Sequence, residues 1–244
     1  MQGTAPSVSG AILFTNNSAI HHGVMTIVNS AFDIISSTFT NNGGVMATFA
    51  DSLLDIIGST FTNNAGVLGG VMDTFSSIFS ITDSIFSDNR AKQNLMCGVR
   101  TIAAENCSFN ISSSTFTNNS AICCDVMFTS NSLFNITNSA FTNNRLSVNV
   151  VDGDNIKTKS SHSCGGILTI LNSLLSITSS AFINNIATTA IGGVAFMYDS
   201  SLNVASSIFV NNVAYVGGVI AMSKSSSLIA YYHQTESFCK QCCS

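Results

Sequence analysis

The sequence has no tryptophan, one proline and few charges: only 8% of its 244 residues are Asp, Glu, Lys or Arg, against about 25% in an ordinary soluble domain. With a formal net charge of -4, it offers no electrostatic case for nucleic acid or anionic lipid, and neither is expected as a partner. No segment has a helical period. The opening residues MQGTAPSVSG contain neither a basic n-region nor an apolar h-region, so no secretory signal is visible. The protein is therefore expected either to stay inside the cell or to be a segment of a longer chain. The stretch 165–198 carries no charge and is long enough to cross a bilayer, for which roughly 20 apolar residues suffice. It is interrupted by Asn172, Ser173, Ser176, Ser179, Ser180, Asn184 and Asn185, so it reads as two ordinary repeat units and not as a membrane span.

What the chain does have is Ser, Thr, Asn and Phe in a repeating order. The skeleton L/F-x-I/V-x-x-S-x-F-x-x-N begins at Phe32, Leu54, Phe79, Phe109, Phe134, Leu175 and Leu202. In a repeat protein the unit determines the fold before any single motif is weighed. The first half of each unit alternates: Phe32/Ile34, Leu54/Ile56, Phe79/Ile81, Phe109/Ile111, Phe134/Ile136, Leu175/Ile177 and Leu202/Val204 flank a polar residue. Period two with a polar middle is a strand with one face inward. Phe39, Phe61, Phe86, Phe116, Phe141, Phe182 and Phe209 form a second inward rank. The Asn at 42, 64, 89, 119, 144, 185 and 212 is expected at the corner, because Asn tolerates the left-handed backbone region and bonds its own neighbours.

Gly-Gly-Val at 43–45, 69–71, 192–194 and 217–219, with Gly-Gly-Ile at 165–167, precedes the alternating block. Glycine followed by a β-branched residue marks a turn opening into a strand. Each unit then holds three short strands, and stacked coils place equivalent residues about 4.8 Å apart. The Phe become an aromatic stack and the Asn a ladder of amides. The fold class expected is all-β, a parallel β-helix of about eight coils.

The eight F-x-x-N copies from Phe14 to Phe209, interleaved with Gly-Gly-Val or Gly-Gly-Ile, resemble the repeats of the polymorphic outer-membrane protein (Pmp) family. That resemblance implies a pectin-lyase-like right-handed β-helix and a place on the cell surface or outside the cell. The match runs from about Phe14 to Met222. Gly-Gly-Val stands where the family favours Gly-Gly-Ala, and no C-terminal barrel is present in this sequence. Residues 1–13 read as an irregular or truncated end lacking the L-x-I half, 14–230 as repeats with an inserted loop at 145–163, and 231–244 as a Cys-rich tail.

Interruptions are where a solenoid usually carries function, because the coil itself is occupied with stacking. From the Asn to the next strand-opening Val or Ile takes seven residues in four units but 23 between Asn144 and Ile167. The insert concentrates Arg145, Asp152, Asp154, Lys157, Lys159 and His162, a candidate interaction loop. Its D-G-D-N run lacks the later Glu of a calcium loop, so no metal and no cofactor are assigned. His21 and His22 have no matching ligand. Cys97 with Cys124, and Cys123 with Cys164, share positions on successive coils, within disulfide reach of one another; they are candidate disulfides in an oxidising compartment and otherwise buried free thiols. Asn16, Asn106, Asn110, Asn118 and Asn135 lie in N-x-S/T sequons. Met25, Met46, Met72 and Met127, with Arg100 in the same row, are expected in the core, the alternative being an outward apolar stripe for a partner.

The function these features imply is non-enzymatic: an extracellular or cell-surface β-helix acting as a rigid stalk or adhesion module, contacting protein or glycan through its outer face and the insert. The competing reading is a carbohydrate-active lyase or hydrolase, which needs carboxylates and a Lys or Arg on one strand face. Asp33 and Asp55 lie on adjacent coils, but Ser80 and Asn110 continue their rank. A third reading, an ice-binding solenoid, rests on the pairs Thr38/Thr40, Thr60/Thr62 and Thr115/Thr117, and is broken by Ile85, Ala140, Ala181/Ile183 and Ile208/Val210.

Overall fold

The computed structural model describes residues 7–8, 12–18, 24–43, 46–49, 52–66, 69–91, 100–122, 127–147 and 166–234. They form a right-handed parallel β-helix. A representative coil runs through a b strand (Leu53–Ile57), a c strand (Thr60–Thr62), a short d strand (Ala65–Gly66) and an a strand (Gly69–Phe75). Equivalent strands pair in parallel from coil to coil. The a strands make an eight-stranded sheet and the d strands a six-stranded one. The b and c ladders are joined by the long strand Ser201–Val210 into a single 16-stranded sheet. The three expected strands are thus three sheets, with the largest holding two ladders that meet at a corner.

The repeat determines the register. Leu54 stacks on Phe32 and Phe79, and Ile56 on Ile34 and Ile81. Phe61 lies between Phe39 and Phe86. Apart from Phe32, which is half-buried near the end of the stack, these inward ranks are buried from the second coil onward. The c-strand Phe form one column from Phe14 to Phe209, with neighbouring ring centroids 4.6 to 5.2 Å apart and nearly parallel planes. A parallel pair with that spacing adds about 0.5–1.5 kcal/mol beyond the area it buries. Ser7–Val8 pairs with Asp33 and Ile34. Val8 therefore fills the Ile rank, and a remnant of the L-x-I half is present in the first coil.

The expected amide ladder is present and its asparagines are inside; the left-handed backbone expected of them belongs instead to their neighbours. Asn42, Asn64, Asn89, Asn119, Asn144, Asn185 and Asn212 are all buried. The left-handed residue is the one before: Asn41, Asn63, Asp88, Asn118, Asn143, Asn184 and Asn211 have φ of 53° to 57°. Each internal ladder amide is satisfied. The backbone N–H and the Nδ2 of Asn89 both donate to Asn119 Oδ1 at 3.1 Å, and Nδ2 also donates to the Phe61 carbonyl at 2.9 Å. A buried amide left unpaired would cost about 1–3 kcal/mol per group; here one side chain closes two donors and two acceptor positions.

Two further ladders repeat the device at the other corners. Ser84 N–H donates to Ser114 Oγ at 3.1 Å, while Ser84 Oγ donates back to the Thr82 carbonyl at 2.8 Å. The same pattern continues through Ser139, Ser180 and Ser207. Between the a and b strands, Ser132, Ser173, Ser200 and Ser225 do likewise, and Cys107 takes one position, accepting from Ser77 N–H at 3.4 Å. Among the described residues, every non-glycine residue with positive φ immediately precedes one of these ladder residues.

The fourth corner, from d to a, is different. On the last coils the second glycine of each Gly-Gly pair lies against the next coil's backbone. A Cβ on Gly166 would stand 2.1 Å from the Gly192 carbonyl oxygen, and one on Gly193 would stand 2.0 Å from that of Gly218. Gly192 has φ +82°. The Gly-Gly motif is thus required by close approach of two backbones.

Candidate binding face

With the interior occupied by stacking, the groups available to a partner are the ranks that alternate with it. On the b strands one outward rank reads Asp33, Asp55, Ser80, Asn110, Asn135, Ser176, Asn203. Ser80 Oγ donates to Asp55 Oδ1 at 2.5 Å, and Asn135 Nδ2 donates to Asn110 Oδ1 at 2.9 Å. Asp83 and Asp88 occupy exposed corners with φ of 50° and 56°. Asp73 is in the a sheet, in register with Ala47 and Ala103. The acids that the enzymatic reading would require together therefore lie in two sheets and two corners. Among the described residues, no three His, Cys, Asp or Glu side chains converge as a metal site.

The c strands carry a hydroxyl row: Thr15, Thr40, Thr62, Ser87, Thr117 and Thr142 follow one another in register. Thr62 and Ser87 hydroxyls are hydrogen-bonded at 2.9 Å, and Thr142 Oγ1 donates to Thr117 Oγ1 at 3.0 Å. The row ends where Ile183 pairs with Thr142. The parallel rank is broken at Ile85 and by Ala140, Ala181 and Ile208.

Arg145 is exposed on the d strand Arg145–Ser147, between Ser120 and Ile186 and two coils from Arg90. Asp152, Asp154, Lys157, Lys159 and His162 lie outside the described residues, as do Cys97, Cys123, Cys124 and Cys164. Met72 and Met127 are in the core and Met25 packs against it. Arg100, however, is not in their row: it pairs with Gly69, and Ile102 takes the position between Met72 and Met127. The register shift between Gly69 and Met72 explains the displacement. The sequon residues Asn16, Asn106 and Asn118 are exposed left-handed corner residues, whereas Asn110 and Asn135 are in the outward b rank.

The a sheet is not an open face throughout. Thr169, Phe196 and Ala221, in the rank that alternates with the core, are 2%, 3% and 1% exposed. Accessible apolar groups are found instead where a meets b. There Leu53, Ile78, Leu133 and Leu174, all in the first rank of the b strands, are 41% to 59% exposed. Beside the last two runs a shallow, open groove of about 570 Å³, lined by Asn131, Leu133, Asn172, Leu174, Asp199 and Ser201. Its floor is the buried Ser132 and Ser173 of the ladder. Sequence reasoning did not find this groove. Its signal was present: a Ser or Cys seven residues before each Ser of the repeat, preceded in most coils by Asn or Asp.

Beyond the groove, Lys224 Nζ stands 5.1 Å from the centre of the Tyr198 ring. Its pKa is raised by a hydrogen bond and electrostatic attraction to Tyr198, and further by Asp199.

Fold and faces define a right-handed parallel β-helix whose outward b and c ranks carry mostly hydroxyl and amide groups, with Asp33 and Asp55 at one end. No protein-family model matches the chain, and no curated protein matches it. No helix among the described residues is long and apolar enough to cross a membrane.

Proposed function

We propose that this β-helix is a non-enzymatic, rigid adhesion or spacer module working at a cell surface or outside the cell, as the resemblance of its F-x-x-N and Gly-Gly-Val repeats to those of Pmp-type passenger regions suggests. The observation that carries the reading is the commitment of each coil's repeat residues to stacking. Phe, Asn and Ser are consumed by continuous ladders, and the described carboxylates are dispersed over two sheets and three corners. A hydrolase or lyase needs an acid and a base converging on one bond.

Partner contact on this reading is made through outward side chains of protein- or glycan-binding type and through the insert at 145–163. The test is attachment without turnover. Beads carrying the full chain are expected to adhere to epithelial cell layers or immobilised matrix proteins, and to release no reducing ends or unsaturated products from polysaccharides. Failure to adhere, or release of such products, overturns the proposal. Deleting residues 148–163 should weaken adhesion; unchanged adhesion would remove the insert from the interaction.

A further inference from the structure

We infer that the groove between the a and b strands binds a neutral, hydroxyl-rich glycan chain laid along the helix axis. The inference rests on the adhesion reading and names the ligand class and the site. The groove spans three successive coils, each contributing one corner residue and one b-strand residue: Asn131 with Leu133, Asn172 with Leu174, Asp199 with Ser201. Asn106 extends the corner row by one coil, and it is exposed. A ligand on this axis meets an Asn–Leu pair on two coils about 4.8 Å apart and the Asp199–Ser201 pair on the third.

Three features select the ligand. The first is the alternation of amide and aliphatic groups. A sugar presents hydroxyls that both donate and accept at its edge and C–H groups on its face. An Asn amide matches the edge with one donor group and one acceptor, and the half-exposed Leu133 and Leu174 match the face. Asn131, Asn172 and Asp199 side chains are exposed. The second feature is charge. Asp199 is the only ionisable group in the lining, and Lys224, which continues the corner row one coil on, faces Tyr198 and Asp199. The pair leaves no net positive charge to select an acidic polysaccharide.

The third is the state of the backbone. An extended peptide is held by an unpaired strand edge, and this groove has none. The N–H groups of Asn131, Leu133, Asn172, Leu174 and Ser201 already donate to the carbonyls of Leu171, Cys107, Tyr198, Ser132 and Ser173. Recognition is left to side chains, as suits a ligand without amides of its own.

The test uses the full chain with soluble neutral polysaccharides (glucan, mannan, xylan and galactan) and with polygalacturonate as the acidic comparator, read by affinity electrophoresis and titration calorimetry. The double substitution Asn131→Gly/Asn172→Gly removes both amides while preserving the positive φ of 51° and 47° without strain. Asn138→Gly, at a corner of the same geometry outside the groove, is the control. At least one neutral polysaccharide should bind, the double variant should lose about tenfold or more in affinity, and Asn138→Gly should leave it unchanged. A thermal melt of each variant identifies any loss caused by unfolding; in that event Leu174→Ser serves as the second groove variant, with the same loss expected. The inference is overturned if none of the neutral polymers binds, if polygalacturonate binds as well as they do, or if folded groove variants bind like the parent. If adhesion of the beads persists through any of these results, the adhesion reading stands without this groove. If adhesion itself is absent, that reading fails separately.

Discussion

Three corners of each coil are turned by adding a side chain, and the fourth, on the last coils, by leaving one out. At the a–b, b–c and c–d corners a left-handed residue is followed by an inward Ser, Cys or Asn that hydrogen-bonds to its counterpart one coil away. At the d–a corner Gly166 and Gly193 let the backbone of one coil pass against the next with no room for a Cβ. The difference governs what each corner tolerates. A ladder residue must arrive at a fixed place in every coil, so the Ser and Asn of the repeat are always five residues apart. The glycine corner restricts size but not length, and it is the d–a connection that varies, from three residues between Asn42 and Val45 to 23 between Asn144 and Ile167. The chain leaves for the insert after Arg145–Ser147 and returns at Gly166, on that side alone.

The comparison is broken most severely by removing a ladder side chain in mid-column. Asn119→Ala takes away the acceptor of Asn89 N–H and Nδ2, and the donor to the Phe86 carbonyl. With each orphaned group costing about 1–3 kcal/mol, the loss should be about 4 kcal/mol by denaturant unfolding. Asn119→Asp should not rescue it, since the carboxylate cannot donate to Phe86. A loss under about 1 kcal/mol would mean that the ladder is ornamental.

Next in size is the glycine corner. Gly193→Ala places a methyl 2.0 Å from the Gly218 oxygen and should cost about 2 kcal/mol in the same assay, as overpacking commonly does. A neutral result would show that the two backbones can separate freely.

The smallest effect has the opposite sign. Thr129 is fully buried in the a sheet, and its Oγ1 has no hydrogen-bond partner. Here a polar group is inside without a ladder to receive it. Thr129→Val should stabilise the protein by about 1 kcal/mol, visible as a raised denaturant midpoint. Destabilisation would show that the hydroxyl is satisfied after all.

The comparison also explains how much of the molecule could be read from sequence. Period-two alternation located Leu54, Ile56 and Phe61 in the core, because burial on one face of a strand leaves a direct trace. The role of Asn64 was misplaced by one residue. In Asn63-Asn64 both residues suit a turn, and only the ladder separates the left-handed residue from the inward one. The Ser52 and Ser77 ladder was missed because a buried serine looks like a surface serine unless its spacing to the next ladder is noticed. Arg100 was placed with the methionines by counting from the preceding valine, which fails at the irregular pairing of Gly69 and Met72. The groove at Asn131 and Asn172 was not legible either, since it is formed between ranks by a corner that the repeat pattern does not contain.

The central claim is that side-chain ladders hold the coil's length at three corners while the fourth is free to vary. Inserting the same short Gly-Ser segment at two places tests it: between Ile122 and Cys123 on the d–a side, and between Ser113 and Ser114 at a ladder corner. The first variant should unfold cooperatively within about 1 kcal/mol of the parent, the cost of closing a longer loop. The second should lose about 3 kcal/mol or more as the ladder is broken. Equal losses at the two sites would contradict the account.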